Sequence, residues 1–187
     1  MLMRITGMPV ERFEPLYWAD RHAYDEGKLT GLAFWQKFVS DAGLQGKLDE
    51  KAVEELNLWD ARMWTTQNPA MVAWQQKLKS YGLLTGILSN MGDNVLESIE
   101  REFKWLDGFD VKVWSYQLGI AKPDPAIYLY ILEKLGTQAG ATLFLDDKQV
   151  NLDAARKLGM QAILFSTVEQ LRQDLIASGL DRELPLP

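Results

Sequence analysis

The chain has 187 residues, a net charge of −6, 47% hydrophobic and 25% charged residues, and no cysteine. The acidic balance argues against a nucleic-acid partner, and the lack of cysteine excludes disulfides and thiolate metal sites. No apolar run reaches the roughly 20 residues of a membrane-spanning helix, and Met1–Gly7 lacks the long apolar core of a secretion signal, so the cytoplasm is the expected compartment.

Residues 1–78 read as helix throughout. Pro9 to Tyr24 carries Phe13, Leu16, Tyr17 and Tyr24 at roughly helical spacing. Thr30 is placed to cap a helix through Leu32, Phe34, Trp35, Phe38 and Val39, which Gly43 and Gly46 end. Asp49 caps a helix running towards Met63, and Pro69 opens another that runs to Tyr81.

From Leu83 onward strands and helices alternate. Strands are predicted at Leu83–Ser89, Val111–Trp114, Thr142–Asp146 and Gln161–Phe165. Helices are predicted at Asn94–Phe103, Pro125–Leu135, around Leu152–Leu158 and at Val168–Ala177, with Pro185 and Pro187 in a loose tail. Continuous apolar strands separated by helices imply a parallel sheet covered on both faces. The fold class is therefore α/β: an all-helical domain over residues 1–78, then a Rossmann-like core over 79–187.

Three stretches carry candidate chemistry. Ser89-Asn90 ends the first strand; it reads either as a turn-forming terminator or as a hydrogen-bonding pair for an anion. Lys122 precedes Pro123 in a loop, either solvated or aimed at an anion. Asp124 is placed to cap the helix that follows. Asp146 and Asp147 end an apolar strand side by side, and two such acids repel unless a cation or donors compensate. The alternative is that Asp147 caps the next helix while Asp146 faces solvent. His22, the one histidine, sits in a polar helical stretch and reads as a surface side chain. The tryptophans at helical spacing read as core rather than as a substrate cage.

In this order, Leu88-Ser89-Asn90, the run Gly119-Ile120-Ala121-Lys122-Pro123-Asp124-Pro125 and Phe144-Leu145-Asp146-Asp147 resemble the second, third and fourth motifs of the haloacid dehalogenase superfamily. The similarity is to its subfamily IA, and the fourth motif looks like that of the phosphatase domain of soluble epoxide hydrolases. Glu11 to Trp18 through Gly27-Lys28-Leu29-Thr30 is similar to the opening of the family's small helical cap. The resemblance implies Asp147 as a Mg²⁺ ligand and Asp146 as a supporting carboxylate or further ligand. It implies Lys122 as the catalytic charge-balancing group, which also binds phosphate, and Ser89 and Asn90 as holders of phosphoryl oxygens. The implied substrate is a small phosphorylated molecule.

The family's first motif, an Asp-x-Asp run that supplies the nucleophile, has no counterpart among these residues. The expectation is a Mg²⁺-dependent phosphatase by ancestry that is inactive as the sequence stands, missing one strand and its loop. A non-catalytic phosphate- or metal-binding protein, or an interaction protein, is the alternative. A metal-free 2-haloacid dehalogenase is disfavoured because Asp146-Asp147 stands where that branch carries Ser-Ser-Asn. The family's strand order, 5-4-1-2-3, makes the missing strand the central one. Three remedies follow: the flanking strands close up, Leu2–Thr6 enters the gap, or copies associate into a homo-oligomer. The last is the expected one, because residues 1–8 look more like helix than strand.

Overall fold

Side-chain caps start α-helices at Thr30, Asp49, Asn68, Asp124 and Thr167 in the computed structural model, which describes residues 1–186; the predicted tail at Pro187 lies outside them. Helix α1 (Leu2–Thr6) closes on Gly7 in the left-handed region, φ 65°. The helix predicted from Pro9 to Tyr24 is two helices, α2 (Val10–Ala19) and α3 (Arg21–Asp25), broken at Asp20, whose φ is −110° and ψ 6°. The Thr30 side chain accepts from the Ala33 N–H at 3.2 Å and starts α4 (Gly31–Asp41). Asp49 accepts from the Ala52 N–H at 2.8 Å and starts α5 (Glu50–Met63). Asn68 caps α6 (Pro69–Ser80), which has proline in its first turn.

Strand β1 (Gly86–Ser89) starts later than the predicted Leu83, and Leu84 is 61% exposed. It is followed by α7 (Asp93–Glu102) and β2 (Val111–Trp114). A short helix that the sequence reading missed, α8 (Ser115–Leu118), follows directly. Asp124 accepts from the Ala126 N–H at 2.8 Å and starts α9 (Pro125–Leu135). Then come β3 (Leu143–Asp146), α10 (Gln149–Lys157), β4 (Gln161–Leu164) and α11 (Val168–Ala177).

The chain forms two compact units. They do not follow a single cut at residue 78. The first contains Met1–Thr66, Ser89–Phe103 and Trp114–Ala121. Its core is aromatic: Phe13, Tyr17, Phe34, Trp35 and Phe38 pack with Leu56 and Val53, and Phe13 and Phe38 have ring centroids 5.0 Å apart. Buried beside this core is an ion pair. Arg21 Nη1 lies 3.2 Å from both oxygens of the fully buried Asp60, and Arg21 Nε lies 3.2 Å from Asp25. Tyr17 Oη donates to Asp60 at 2.7 Å, and Trp64 Nε1 donates to it at 3.3 Å. The Arg21 guanidinium lies over the rings of Tyr17, Tyr24 and Trp64.

The segment after β1 is tied to these helices. Asp93 accepts from the Gly31 N–H at 2.9 Å, and Asn94 Nδ2 donates to the Asn57 carbonyl at 2.9 Å. Close approach here requires glycine. A Cβ on Gly92 would land on the Tyr24 ring, and one on Gly27, whose φ is 72°, would land on the Tyr116 carbonyl.

The second unit contains Gln67–Leu88, Lys104–Val113 and Lys122–Pro187. Strands β3 and β4 pair in parallel, Leu143 opposite Gln161 through Asp146 opposite Leu164. Leu143, Leu145, Ile163 and Phe165 pack against Trp74 and Leu78 of α6 and against Leu171 and Leu175 of α11. Helix α10 packs on β3 and β4. Helix α6 also reaches the start of β1, where Gln75 Nε2 donates to Thr85 Oγ1 at 2.9 Å and to the Gly108 carbonyl at 2.8 Å.

Among the described residues the four strands form two separate two-stranded sheets, β1 with β2 and β3 with β4. Two of the three expected remedies are therefore overturned. β1 and β3 do not close up into one sheet, and Leu2–Thr6 is helical, because it is held by its own i→i−4 pattern and the Gly7 cap.

Candidate functional site

Strand β3 ends at Asp146, whose side chain is turned inward, whereas Asp147 is exposed. This reverses the alternative in which Asp146 faces solvent. The reason is strand parity. The Phe144 ring meets the Tyr128 ring of α9 edge-on at 5.4 Å, and Asp146, two residues further, points to the same side.

There every oxygen of Asp146 finds a donor. Oδ2 accepts from Lys122 Nζ at 2.6 Å; Oδ1 accepts from the Lys148 N–H at 2.8 Å and from Asn151 Nδ2 at 2.9 Å. The Lys122 side chain is 10% exposed and that of Asp146 3%. The Lys122 ammonium also lies 5.5 Å from the centre of the Phe144 ring. The Lys122–Pro123 peptide is cis. Asn151 is held in turn, because the buried Tyr128 hydroxyl donates to its carbonyl at 2.9 Å. Burial, and then the Asp146 charge, push the Tyr128 phenol up.

Asn151 and Tyr128 are the residues that sequence reasoning missed. Asn151 lies in the first turn of α10, five residues after Asp146. That placement lets its amide reach back to the strand end, and it is the signal that could have found it.

Burial alone would raise the Asp146 carboxyl. The Lys122 charge and the three hydrogen bonds outweigh it and hold the group below its ordinary 3.8. The sign follows by linkage. A carboxyl with a depressed folded pKa stabilises fully above its ordinary value, and that stabilisation is lost as pH falls through the lower folded value. Asp146→Asn is expected to remove this dependence. Urea midpoints of the native chain and the variant, compared from about pH 6 to about pH 3, should converge with acid; parallel curves would show that Asp146 does not carry the effect.

Lys122, Asp146 and Asp147 lie in the second compact unit, whereas Ser89 and Asn90 open a segment of the first. Ser89 and Asn90 are half-buried. The structure brings Lys122 and Asp146 into direct contact and leaves the Asp147 carboxylate without a hydrogen bond or ion pair among the described residues. A shallow cavity of about 320 Å³ in the first unit, lined by Leu32, Gln36, Leu48 and Val53 among others, includes none of these five.

The donor set can be tested against a metal. No group of three or more His, Asp or Glu among the described residues is arranged to hold one. Asp146 has its oxygens committed to three donors, so Asp147 is the carboxylate available. Mg²⁺ takes one or two protein carboxylates, with water and phosphate oxygens completing an octahedron. These residues fit as the single-carboxylate part of such a site, not as a cage.

A family model described as haloacid dehalogenase-like hydrolase matches residues 5–159. The chain is 29% identical over 178 residues to "Phosphatase MT3486" of Mycobacterium tuberculosis, covering 92% of this chain and 81% of that protein. It is 34% identical over 116 residues to "Bifunctional epoxide hydrolase 2" of Mus musculus, covering 59% of this chain but only 21% of that protein. Among solved structures, a HAD family enzyme from Bacteroides thetaiotaomicron in complex with magnesium and inorganic phosphate superposes with a TM-score of 0.70 at 20% identity. That match covers 89% of this chain and 85% of the other.

Proposed function

Because the chain belongs to the haloacid dehalogenase-like hydrolases, we propose that its site is built for Mg²⁺-dependent hydrolysis of a small organic phosphate. We further propose that residues 1–187 alone bind phosphate but do not turn it over. The observation that carries the reading is the buried Lys122–Asp146 pair, 2.6 Å long, beside the exposed Asp147 at the end of β3. Asp146 fixes the Lys122 ammonium, and the ammonium offsets the charge of a bound phosphate. Asn151 and the Lys148 N–H hold Asp146 in that rotamer, and Tyr128 holds Asn151. In this proposal Asp147 would hold the Mg²⁺, which supplies further charge neutralisation at the phosphoryl oxygens. Ser89 and Asn90 would donate to phosphoryl oxygens.

The phosphatase relative and the magnesium–phosphate complex of a structural neighbour support this reading. The expected inactivity rests on the residues themselves. Covalent catalysis needs a carboxylate placed to attack phosphorus, and no Asp-x-Asp run follows a strand in this sequence. The same observation favours the second reading, a protein that binds phosphate without catalysis.

The test uses purified residues 1–187 with Mg²⁺. An aryl phosphate should show no turnover above background. Inorganic phosphate at about 100 times its Kd should add about 2.7 kcal/mol to unfolding, and Lys122→Ala or Asp147→Ala should abolish that gain. Turnover that Asp147→Ala removes would mean that another carboxylate attacks. Indifference to phosphate would end the reading.

A further inference from the structure

Ser115 is the first residue after β2 and is fully buried, and its hydroxyl faces two other segments of the first unit. The Met91 N–H donates to Ser115 Oγ at 3.0 Å, and Ser115 Oγ in turn donates to the Asp25 carbonyl at the end of α3. A hydroxyl has one proton and two lone pairs. The proton goes to Asp25, because the Met91 carbonyl lies further off at 3.5 Å, and a lone pair receives the Met91 N–H. Arranged in this order, each bond polarises the other. Met91 is itself buried, so its N–H has no ready exchange of Ser115 for water.

The bond falls beside the Ser89–Asn90 pair. Ser89 is the last residue of β1, which pairs with β2, and Asn90 alone separates it from Met91. Met91 opens a run of anchored residues. Gly92 lies against the Tyr24 ring, and Asp93 accepts from the Gly31 N–H. Asn94 accepts from Tyr24 Oη and donates to the Asn57 carbonyl. The Ser89–Asn90 pair is therefore held by the β1–β2 ladder on one side and by Ser115 on the other.

We propose that Ser115 is a positioning residue for phosphate: by holding the Met91 N–H it fixes the backbone from which Ser89 and Asn90 donate. The inference rests on the reading that those two side chains donate to phosphoryl oxygens. A loop ordered only when phosphate arrives loses conformational entropy in the binding step; one already ordered in the folded chain does not. Ser115 orders this loop beforehand without touching the ligand.

The test measures binding of inorganic phosphate, with Mg²⁺ present, by titration calorimetry on residues 1–187. Ser115→Ala should raise the Kd about tenfold and speed hydrogen exchange at the Met91 amide. Val39→Ala trims the core of the same unit on α4. It should lower stability yet leave the Kd unchanged, since a variant that stays almost fully folded keeps its affinity. Ser115→Cys keeps the side chain's shape but bonds weakly through sulfur, so it should resemble Ser115→Ala, and it decides the matter if the alanine variant does not fold. An unchanged Kd in Ser115→Ala or Ser115→Cys, or an equal loss in Val39→Ala, overturns the positioning role and leaves the phosphate reading standing. Failure of the native chain to bind phosphate overturns both.

Discussion

Asp60→Ala is expected to destabilise the chain by about 3–5 kcal/mol, against a typical total of about 5–15 kcal/mol. Asp60 is fully buried and Arg21 is 6% exposed, so neither is solvated by water. Removing the carboxylate strands a guanidinium among Tyr17, Tyr24 and Trp64, and takes away the acceptor of Tyr17 Oη and Trp64 Nε1. Burial lowers the Arg21 pKa, but Asp60 and the surrounding acidic groups more than restore it, so losing Asp60 removes the largest compensating charge and leaves Asp25, 3.2 Å from Nε, as the remaining carboxylate. Replacing both members, with Arg21→Met and Asp60→Leu, should recover most of the loss, because burying two charges costs as much as their attraction returns. Urea unfolding checks this: the midpoint should fall at constant slope in the single variant. A loss below about 1 kcal/mol would show that the pair is solvated and worth no more than a surface ion pair.

Lys122→Ala is expected to cost about 2–4 kcal/mol near neutral pH. The estimate sits below that for Asp60 because Asp146 keeps two donors, the Lys148 N–H and Asn151 Nδ2. Without the ammonium, burial dominates and the carboxyl rises. The variant's deficit should then shrink as acid protonates Asp146, since a neutral carboxyl no longer needs a counter-ion. Adding Asp146→Asn to Lys122→Ala should relieve the neutral-pH loss while leaving phosphate binding absent. Unfolding midpoints of the three variants across pH measure both effects. A deficit that stays the same as pH falls would mean that Lys122 acts through its packing on Phe144, not through its charge.

Features written in local chemistry were legible in the sequence. Thr30, Asp49 and Asp124 cap their helices as their side chains predict, and the strand at Val111–Trp114 and the helices at Pro125–Leu135 and Val168–Ala177 keep the predicted bounds. The break at Asp20 was not legible, because neither glycine nor proline marks it. Leu83 and Leu84 extended the apparent strand by being apolar, yet both are exposed and lie before the pairing begins. The pairing of Lys122 with an acid at the end of β3 spans 24 residues and is set by how the chain crosses over. Which of two adjacent aspartates turns inward depends on the face that α9 covers, and local pattern does not report that face. Helix α6 announced an apolar side but not its partners, so its packing on β3, β4 and α11 emerged only in three dimensions.

Gly92 and Gly27 bear on how this chain would behave in a saturation screen. Neither carries a reactive group, yet any side chain at Gly92 collides with the buried Tyr24 and any at Gly27 collides with main chain. A map of tolerated substitutions would therefore rank these two seams beside Lys122. Intolerance alone would not separate a residue that handles phosphate from one that merely lets two segments touch; only the ligand-induced shift in stability would.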